Sequence, residues 1–245
     1  MKKIFVILIL LFFAGCTPQP NGNLTVIFFD VGQGDSALII TPDNKTVMID
    51  CGEYEDAADY LELMNITSLD ALIITHPDDD HYGGCDEVSK VAHVKRTITN
   101  TNTEKDFVLD ITQTAKFEVI VAYDSGGRYK EDNDNSVLLK LTYGKIKFLF
   151  TGDCTWKCEN ELMKTEKIDI DILKVGHHGS KSSTTEKFLK KTTPSVAVIS
   201  TGKNSYGHPT NEVIERLNQV NSEIYRTDID GSVILTTDGR TYSVA

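Results

Sequence analysis

The chain has 245 residues, enough for one large domain or two small ones with a sizeable core. A hydrophobic content of 40% with 25% charged residues excludes a disordered or fibrous chain. The formal charge of −11 repels polyanions on average, which excludes a broad basic surface for long DNA but not a small pocket for one phosphate.

The first fifteen residues read as a leader. Lys2 and Lys3 precede an apolar run, Ile4 to Phe13, that is too short to span a bilayer comfortably. Ala14-Gly15-Cys16 follows, and the whole segment resembles a bacterial lipoprotein signal, in which the cysteine is lipidated and becomes the new N-terminus. Phe13 departs from the aliphatic residue usual three before that cysteine. An ordinary secretory signal with Cys16 incidental is the alternative. Either reading exports the protein, and the first anchors it at the cell membrane through Cys16. Thr17 to Asn23, with two prolines and an Asn-Gly pair, reads as a flexible tether. The expected organisation is a signal over 1–15, a tether over 16–23 and one domain over 24–245. Loss of Lys2 and Lys3 with the leader makes the remaining chain more acidic still. Export also bears on Cys51, Cys85, Cys154 and Cys158, an even number in a compartment that can be oxidising. Cys154 and Cys158 could bridge locally and Cys51 could meet Cys85, or all four could be free thiols.

Past the tether, Leu24 to Phe29, Ser36 to Ile40 and Thr46 to Ile49 read as strands between Gly- and Asn-containing turns. Glu55 to Met64 reads as a helix, and Ala71 to Ile74 as a short strand covered on both faces. Val137 to Thr142 and Ile146 to Phe150 flank Tyr143-Gly144-Lys145 and predict a hairpin. Ile170 to Val175 and Val196 to Ile199 are strand-like, alternating with helical patterns over Thr184 to Lys191 and Asn211 to Asn218. Glu223 to Tyr225, Ser232 to Thr236 and Arg240 to Val244 close the chain as strands, the last two joined around Asp238-Gly239. Strands alternating with helices at both ends predict an α/β fold of two packed sheets with helices outside.

Several of these strands run into polar residues of metal-binding type. Ile74 leads to Thr75-His76-Pro77-Asp78-Asp79-Asp80-His81, Phe150 to Thr151-Gly152-Asp153, Val175 to Gly176-His177-His178-Gly179, and Ile199 to Tyr206-Gly207-His208-Pro209. Ligands gather outside the carboxyl ends of strands in α/β proteins, so these loops can face one crevice. Five of the six histidines lie in them, and only His93 does not. In an extended loop residues two apart point the same way, so His76 and Asp78 can clasp one ion while Asp80 and His81 turn toward a second. Asp153 can supply an oxygen to each. Imidazole with carboxylate suits Zn, Mn or Fe. The plainer reading, a helix N-cap at Asp78 to Asp80, explains one aspartate but not three between two histidines.

Thr75 to Gly84 (THPDDDHYGG) resembles the signature loop of the metallo-β-lactamase superfamily, whose commonest form has histidine where this chain has Asp78. That variant is similar to the hydrolase domain of the ComEC competence family. The other shared motifs are Phe29 to Asp35 (FDVGQGD), Asp50-Cys51-Gly52, Asn133 to Ser136 (NDNS), Thr151 to Asp153, His177 to Lys181 (HHGSK) and Gly207 to Pro209. The pattern also occurs in secreted cell-wall phosphorylcholine esterases. The resemblance implies an αββα sandwich of two mixed sheets, and it implies two divalent metal ions, Zn or Mn. Their ligands would be His76, Asp78, Asp80, His81, Asp153 and one of His177 or His178, with His178 favoured. It implies the hydrolase module without the membrane channel of that family. Asn133 and Ser136 stand where many superfamily members place another histidine, and would hydrogen-bond a phosphate oxygen. Asp50 is expected to hold a ligating histidine. Asp30 and Asp35 read equally as turn residues or as such support.

The implied chemistry is metal-assisted hydrolysis of a phosphodiester, small, cell-wall-linked or in nucleic acid. Asp80, Asp153, His208, Asn133 and Ser136 would act at the reacting group, with His208 stabilising the transition state or protonating the leaving oxygen. A Ser-His-Asp triad is disfavoured, since no serine sits in a Gly-x-Ser-x-Gly elbow. An amide or lactam hydrolase of the same fold is a rival, and so is a non-catalytic binding lipoprotein. The full ligand set weighs against the latter, because unused buried carboxylates are costly. Lys181 could meet a phosphate but reads more simply as a solvated loop lysine. Trp156 and the tyrosines show no interleaving with basic residues, so no stacking platform for single strands is expected.

Overall fold

Why this sequence makes two sheets with three buried layers is visible in its first strand. Successive strand residues point to opposite faces. In Leu24–Phe28 (β1), Leu24, Val26 and Phe28 therefore enter one apolar cluster, while Ile27 and the following Phe29 enter another. A computed structural model describes residues 22–101, 107–121, 133–164 and 168–245, so the leader and most of the expected tether lie outside the described residues.

After β1 come β2 (Ala37–Ile40), β3 (Thr46–Ile49), α1 (Asp56–Leu63), β4 (Ser68–Leu69) and β5 (Ala71–Ile73). Then follow α2 (Asp79–Tyr82), α3 (Cys85–Val91), β6 (His93–Val94) and β7 (Thr97–Ile98). The middle of the chain gives β8 (Phe107–Leu109), β9 (Lys116–Val121), β10 (Val137–Tyr143), β11 (Ile146–Phe150) and α4 (Trp156–Leu162). The remainder is β12 (Ile172–Lys174), α5 (Glu186–Thr192), β13 (Val196–Ile199), α6 (Asn211–Gln219), β14 (Glu223–Arg226), α7 (Thr227–Asp230), β15 (Val233–Thr237) and β16 (Tyr242–Val244).

The first sheet has the order β16-β15-β1-β2-β3-β5-β7 and the second β14-β13-β12-β11-β10-β9-β8. Both are mixed. In the first, β3, β5 and β7 run parallel; in the second, β11 to β14 do. The inner faces meet through residues such as Phe28, Ile39, Ile73, Phe117, Leu139, Phe148 and Val198. Helices α1 and α3 cover the first sheet with Ala57, Leu61 and Val88. Helices α4, α5 and α6 cover the second with Leu162, Phe188 and Leu217. The expected αββα layering is what forms. Among the described residues no helix is long and apolar enough to cross a membrane.

The long expected elements lie within two residues of the observed ones. Helices α3 and α4 and strand β9 were not expected. The first two span only seven residues each, too short for a periodic apolar stripe to stand out. Strand β9 carries an alternation, Lys116 and Glu118 against buried Phe117 and Val119, that the sequence does show.

Both cysteine pairs form disulfides, Cys51 with Cys85 and Cys154 with Cys158. The first ties the end of β3 to the start of α3 across 34 residues, the second closes a separation of four. In the chain-entropy account such loops are worth on the order of 4 and 2 kcal/mol. Replacing Cys51 and Cys85 by alanine is therefore expected to lower the denaturant midpoint more than replacing Cys154 and Cys158. Equal losses in urea unfolding would contradict this.

Candidate metal centre

The parallel strands of both sheets end on one edge, and the polar loops collect there. Beyond β5 the chain bends at Pro77, Asp78 is extended, and α2 begins at the next residue. This switch divides the loop. His76 and Asp78 precede the helical turn, Asp80 and His81 lie within it. Asp78 holds the N-cap position but makes no side-chain capping hydrogen bond. Its carboxylate instead faces His76, Oδ2 lying 3.4 Å from Nε2. Asp80 turns the other way, with Oδ2 3.1 Å from Nε2 of His178.

Asp153, just past β11, sits among the rings. Its Oδ1 is 3.1 Å from His81 Nε2 and 3.6 Å from His178 Nε2. Its Oδ2 is 3.5 Å from His177 Nε2 and 3.9 Å from His76 Nε2. Each central histidine is also held from behind. Nδ1 of His76 meets Thr75 Oγ1 at 3.0 Å, and Nδ1 of His81 meets Asp50 Oδ2 at 2.7 Å. Nδ1 of His178 meets the Ser200 carbonyl at 2.9 Å, with Asp35 Oδ1 3.2 Å away. Asp50 in turn accepts from the Thr75 amide and hydroxyl, each at 2.7 Å.

With Nδ1 engaged, the buried Nε2 atoms of His76, His81 and His178 face carboxylate oxygens, of Asp78 at 3.4 Å and of Asp153 and Asp80 at 3.1 Å each. Imidazole nitrogens gathered around carboxylates, each ring held from behind through Nδ1, are the arrangement of a metal site. Asp35, His81, Asp153 and His178 also offer ligand atoms within 4.8 Å of one another. Imidazole nitrogen with carboxylate oxygen suits Zn, Mn or Fe. Asp35 stands behind this set, however, because its Oδ2 is 2.7 Å from the buried Lys174 ammonium.

The local backbone has its reasons. His177 and His178 both have positive φ, 50° and 51°, and their ring planes lie 80° apart. His178 thus points inward while His177 stays partly exposed. Gly34, at φ 140°, passes against the Asp80 carbonyl where a Cβ would collide, and the Asp35 amide bonds to that carbonyl.

Electrostatics follow from this crowding. Burial disfavours the charged form of Asp153, but His178 and His81 outweigh it and hold the carboxyl well below its usual range. Burial likewise opposes protonation of His178, yet Asp153 and Asp35 push it up to about 10. His81 is raised by Asp153, Asp50 and Asp35 against the same burial. His177 and His208 are shifted down, in both cases chiefly by burial.

At the open side lie His177, Asn133, His208 and Tyr206. Asn133 Nδ2 is 3.5 Å from the His177 ring nitrogens, and the His177 and His208 rings are 5.6 Å apart. Tyr206, 72% exposed, lies beside His208 with centroids 5.7 Å apart. Asn204 holds the His208 loop by accepting from the His208 amide at 3.0 Å. Ser136 is placed differently from the expected phosphate donor. It is fully buried, donates to the Asn133 carbonyl at 2.7 Å and accepts from the Asp153 amide at 3.3 Å. It braces the two residues beside it. His93 is exposed, and so is Lys181.

Sequence reasoning missed two features. Lys174, 4% exposed, interrupts an apolar strand, and that interruption was the available signal. Trp156 does have basic company in space. It lines an open groove of about 840 Å³ with Lys157, Lys164, Lys187, Lys190 and Lys191, contributed by α4, α5 and the turn after α4.

Comparison with known proteins agrees with this architecture. Residues 29–101 match the family model of the metallo-beta-lactamase superfamily. ComE operon protein 3 of Bacillus subtilis (strain 168) is 30% identical over 93% of this chain and 34% of its own length. The chain spans about a third of the length of the curated relatives it matches. Among solved structures, Tm1679, a metal-dependent hydrolase of the beta-lactamase superfamily, superposes with a TM-score of 0.56 at 15% identity, covering 87% of this chain and 98% of that one. A diphosphatase from the PhnP family gives 0.52 at 13% identity with the same coverages.

Two outcomes are expected at this centre. Asp153→Ala removes bound transition metal, as elemental analysis of purified protein would show. Because the metal-free centre keeps protons on His178 up to about pH 10, an incoming ion must displace them. Metal affinity should therefore rise with pH across the neutral range and fall on acidification. A chelator competition titration at about pH 6 and pH 8.5 checks the sign, and equal affinities would contradict the assignment.

Proposed function

We propose that this chain, which has the metallo-β-lactamase fold, is a metal-dependent hydrolase that cleaves phosphodiesters at a two-ion centre. His76, Asp78 and Asp153 would hold one ion, and Asp80, His81, His178 and the other oxygen of Asp153 the second. Divalent ions so held supply Lewis acidity and bring the pKa of a water from 15.7 toward about 7. The remaining work falls to the chain. The observation that carries the phosphodiester reading is the donor cluster at the mouth: Asn133, His177 and His208 stand together beside Asp153. A lactam develops charge on one oxygen, whereas a phosphodiester spreads it over two non-bridging oxygens that both need donors. His208 closes this cluster from the side of the exposed Tyr206, with Nδ1 making no hydrogen bond within the chain. Held below its ordinary value by burial, His208 is neutral at neutral pH and can donate without carrying charge.

The test compares a simple aryl phosphodiester, a phosphorylcholine ester, a short DNA strand and a chromogenic cephalosporin, with protein loaded separately with Zn or Mn. Close to two ions per chain and turnover of the diesters are expected, with turnover lost in Asp153→Ala. His208→Gln should keep its metal and lower kcat by roughly 10²-fold or more. Cephalosporin turnover without phosphodiesterase activity would overturn the reaction class.

The acidic chain favours small or cell-wall-linked diesters, with the lysine groove as a local exception that the DNA arm addresses. Lipid on Cys16 completes the proposal by tethering the domain to the outer face of the cell membrane. Mass spectrometry of the native N-terminus should find a diacylglyceryl cysteine. A soluble form beginning elsewhere would remove the anchor from the account.

A further inference from the structure

Lys174 is the one lysine among the buried polar residues described, and no step of the proposed chemistry uses it. It closes β12 in the middle of the second sheet, and its ammonium donates to the Val175 carbonyl at 2.9 Å. Its ion-pair partner Asp35 comes from the loop after β1, in the first sheet, at 2.7 Å. The pair therefore spans the two sheets directly behind His178. A buried carboxylate there is expensive without a partner, and a lysine in an otherwise apolar strand is equally so.

The charge around the centre gives the pair a functional meaning. Asp35, Asp50, Asp78, Asp80 and Asp153 bring five carboxylates to within one or two side chains of the histidine nitrogens. Two divalent cations leave one negative charge uncompensated. Lys174 cancels it. Where the commonest form of the signature loop has a neutral histidine, this chain has Asp78, and the added carboxylate would otherwise repel an anionic substrate.

We propose that Lys174 sets the charge of the centre so that an anionic phosphodiester can enter, acting through the field and not through contact. This rests on the two-ion phosphodiesterase reading. In a site of low dielectric the field of a buried charge is poorly screened. One unit charge roughly 10 Å away at an effective dielectric of about 20 changes anion binding by on the order of tenfold.

The experiment uses the full metal-loaded protein, with metal content measured in every variant, and reads the dissociation constant of inorganic phosphate by calorimetry. Phosphate binding does not require that the protein hydrolyse anything, so failure of the phosphodiesterase reading would show separately, as absent turnover of the aryl diester. Lys174→Met should weaken phosphate binding about tenfold, and the double variant Lys174→Met with Asp35→Asn should recover most of it. Asp35→Asn alone keeps the lysine and removes a negative charge, so it should tighten phosphate binding by a similar factor, and it decides the matter if Lys174→Met does not fold. For the aryl diester the change should fall on KM more than on kcat. An uncharged aryl carboxylate ester, if it is turned over, should be insensitive to all three variants. Weaker phosphate binding in both single variants, or no change in Lys174→Met at full metal content, would show that the pair only holds His178 in place and would overturn the proposal.

Discussion

The position of Asp153 is the constraint on which the centre depends. A single carboxylate can face two sets of imidazole nitrogens only if both sheets deliver their loops to the same edge. Parallel pairing achieves this. Strands β11, β12 and β13 run in one direction, so Asp153, the His177-His178 turn and the His208 loop all leave the same end of the second sheet. Strands β3 and β5 do the same for Asp50 and His76 in the first. The Asp153 amide is fixed by Ser136, and Gly152 passes close to Thr75, where a Cβ would lie 2.9 Å from the threonine Cβ. Thr75 then contacts Asp50, which orients His81. The two halves are thus interlocked beneath the site by direct contact.

This arrangement gathers several ionisable side chains in one buried place. Burying so many ionisable groups costs desolvation, which the attraction between Asp153 and the raised histidines His81 and His178 offsets. The rest of the fold must hold them in place, and the three apolar layers do so. Preorganisation of this kind moves the cost of assembling ligands from the binding step to the folding step. Any ion that binds the folded form alone then returns part of that cost as stability.

What was legible in the sequence divides by the kind of signal. Residues at fixed short spacing were readable: His76, Asp78, Asp80 and His81 lie on one loop, and their separation into two directions follows from the chain turning helical at Asp79. Asp50 was readable as support because it ends a strand next to the ligand loop. The choice between His177 and His178 was not, since it depends on two consecutive left-handed residues that nothing in the letters dictates. Ser136 was misplaced for a related reason. A hydroxyl beside a motif can face substrate or backbone, and only its complete burial decides. Lys174 and the Trp156 groove depend on packing between elements distant in sequence. Lys187, Lys190 and Lys191 join Lys157 and Lys164 only because α5 lies beside α4.

That last point changes how the net charge should be used. A formal charge of −11 describes the whole surface, but an approaching phosphate responds to exposed charges within roughly a Debye length, about 8 Å at physiological ionic strength, and to buried charges from farther away. Two positive features lie inside an otherwise acidic envelope. One is buried, where Lys174 offsets Asp35 beneath the centre. The other is exposed, on a groove whose Trp156 is 51% accessible and follows Asp153 by three residues. Several groove lysines are themselves paired, Lys164 with Glu161, Lys190 with Glu186 and Lys157 with Asp134, so the groove's net charge is smaller than its lysine count. Lys174 is paired too, but its partner Asp35 is already counted among the acids around the centre, so the lysine lowers the net negative charge of that set by one. On the proposal made for Lys174, the buried charge therefore bears on what the centre admits although it touches nothing that enters.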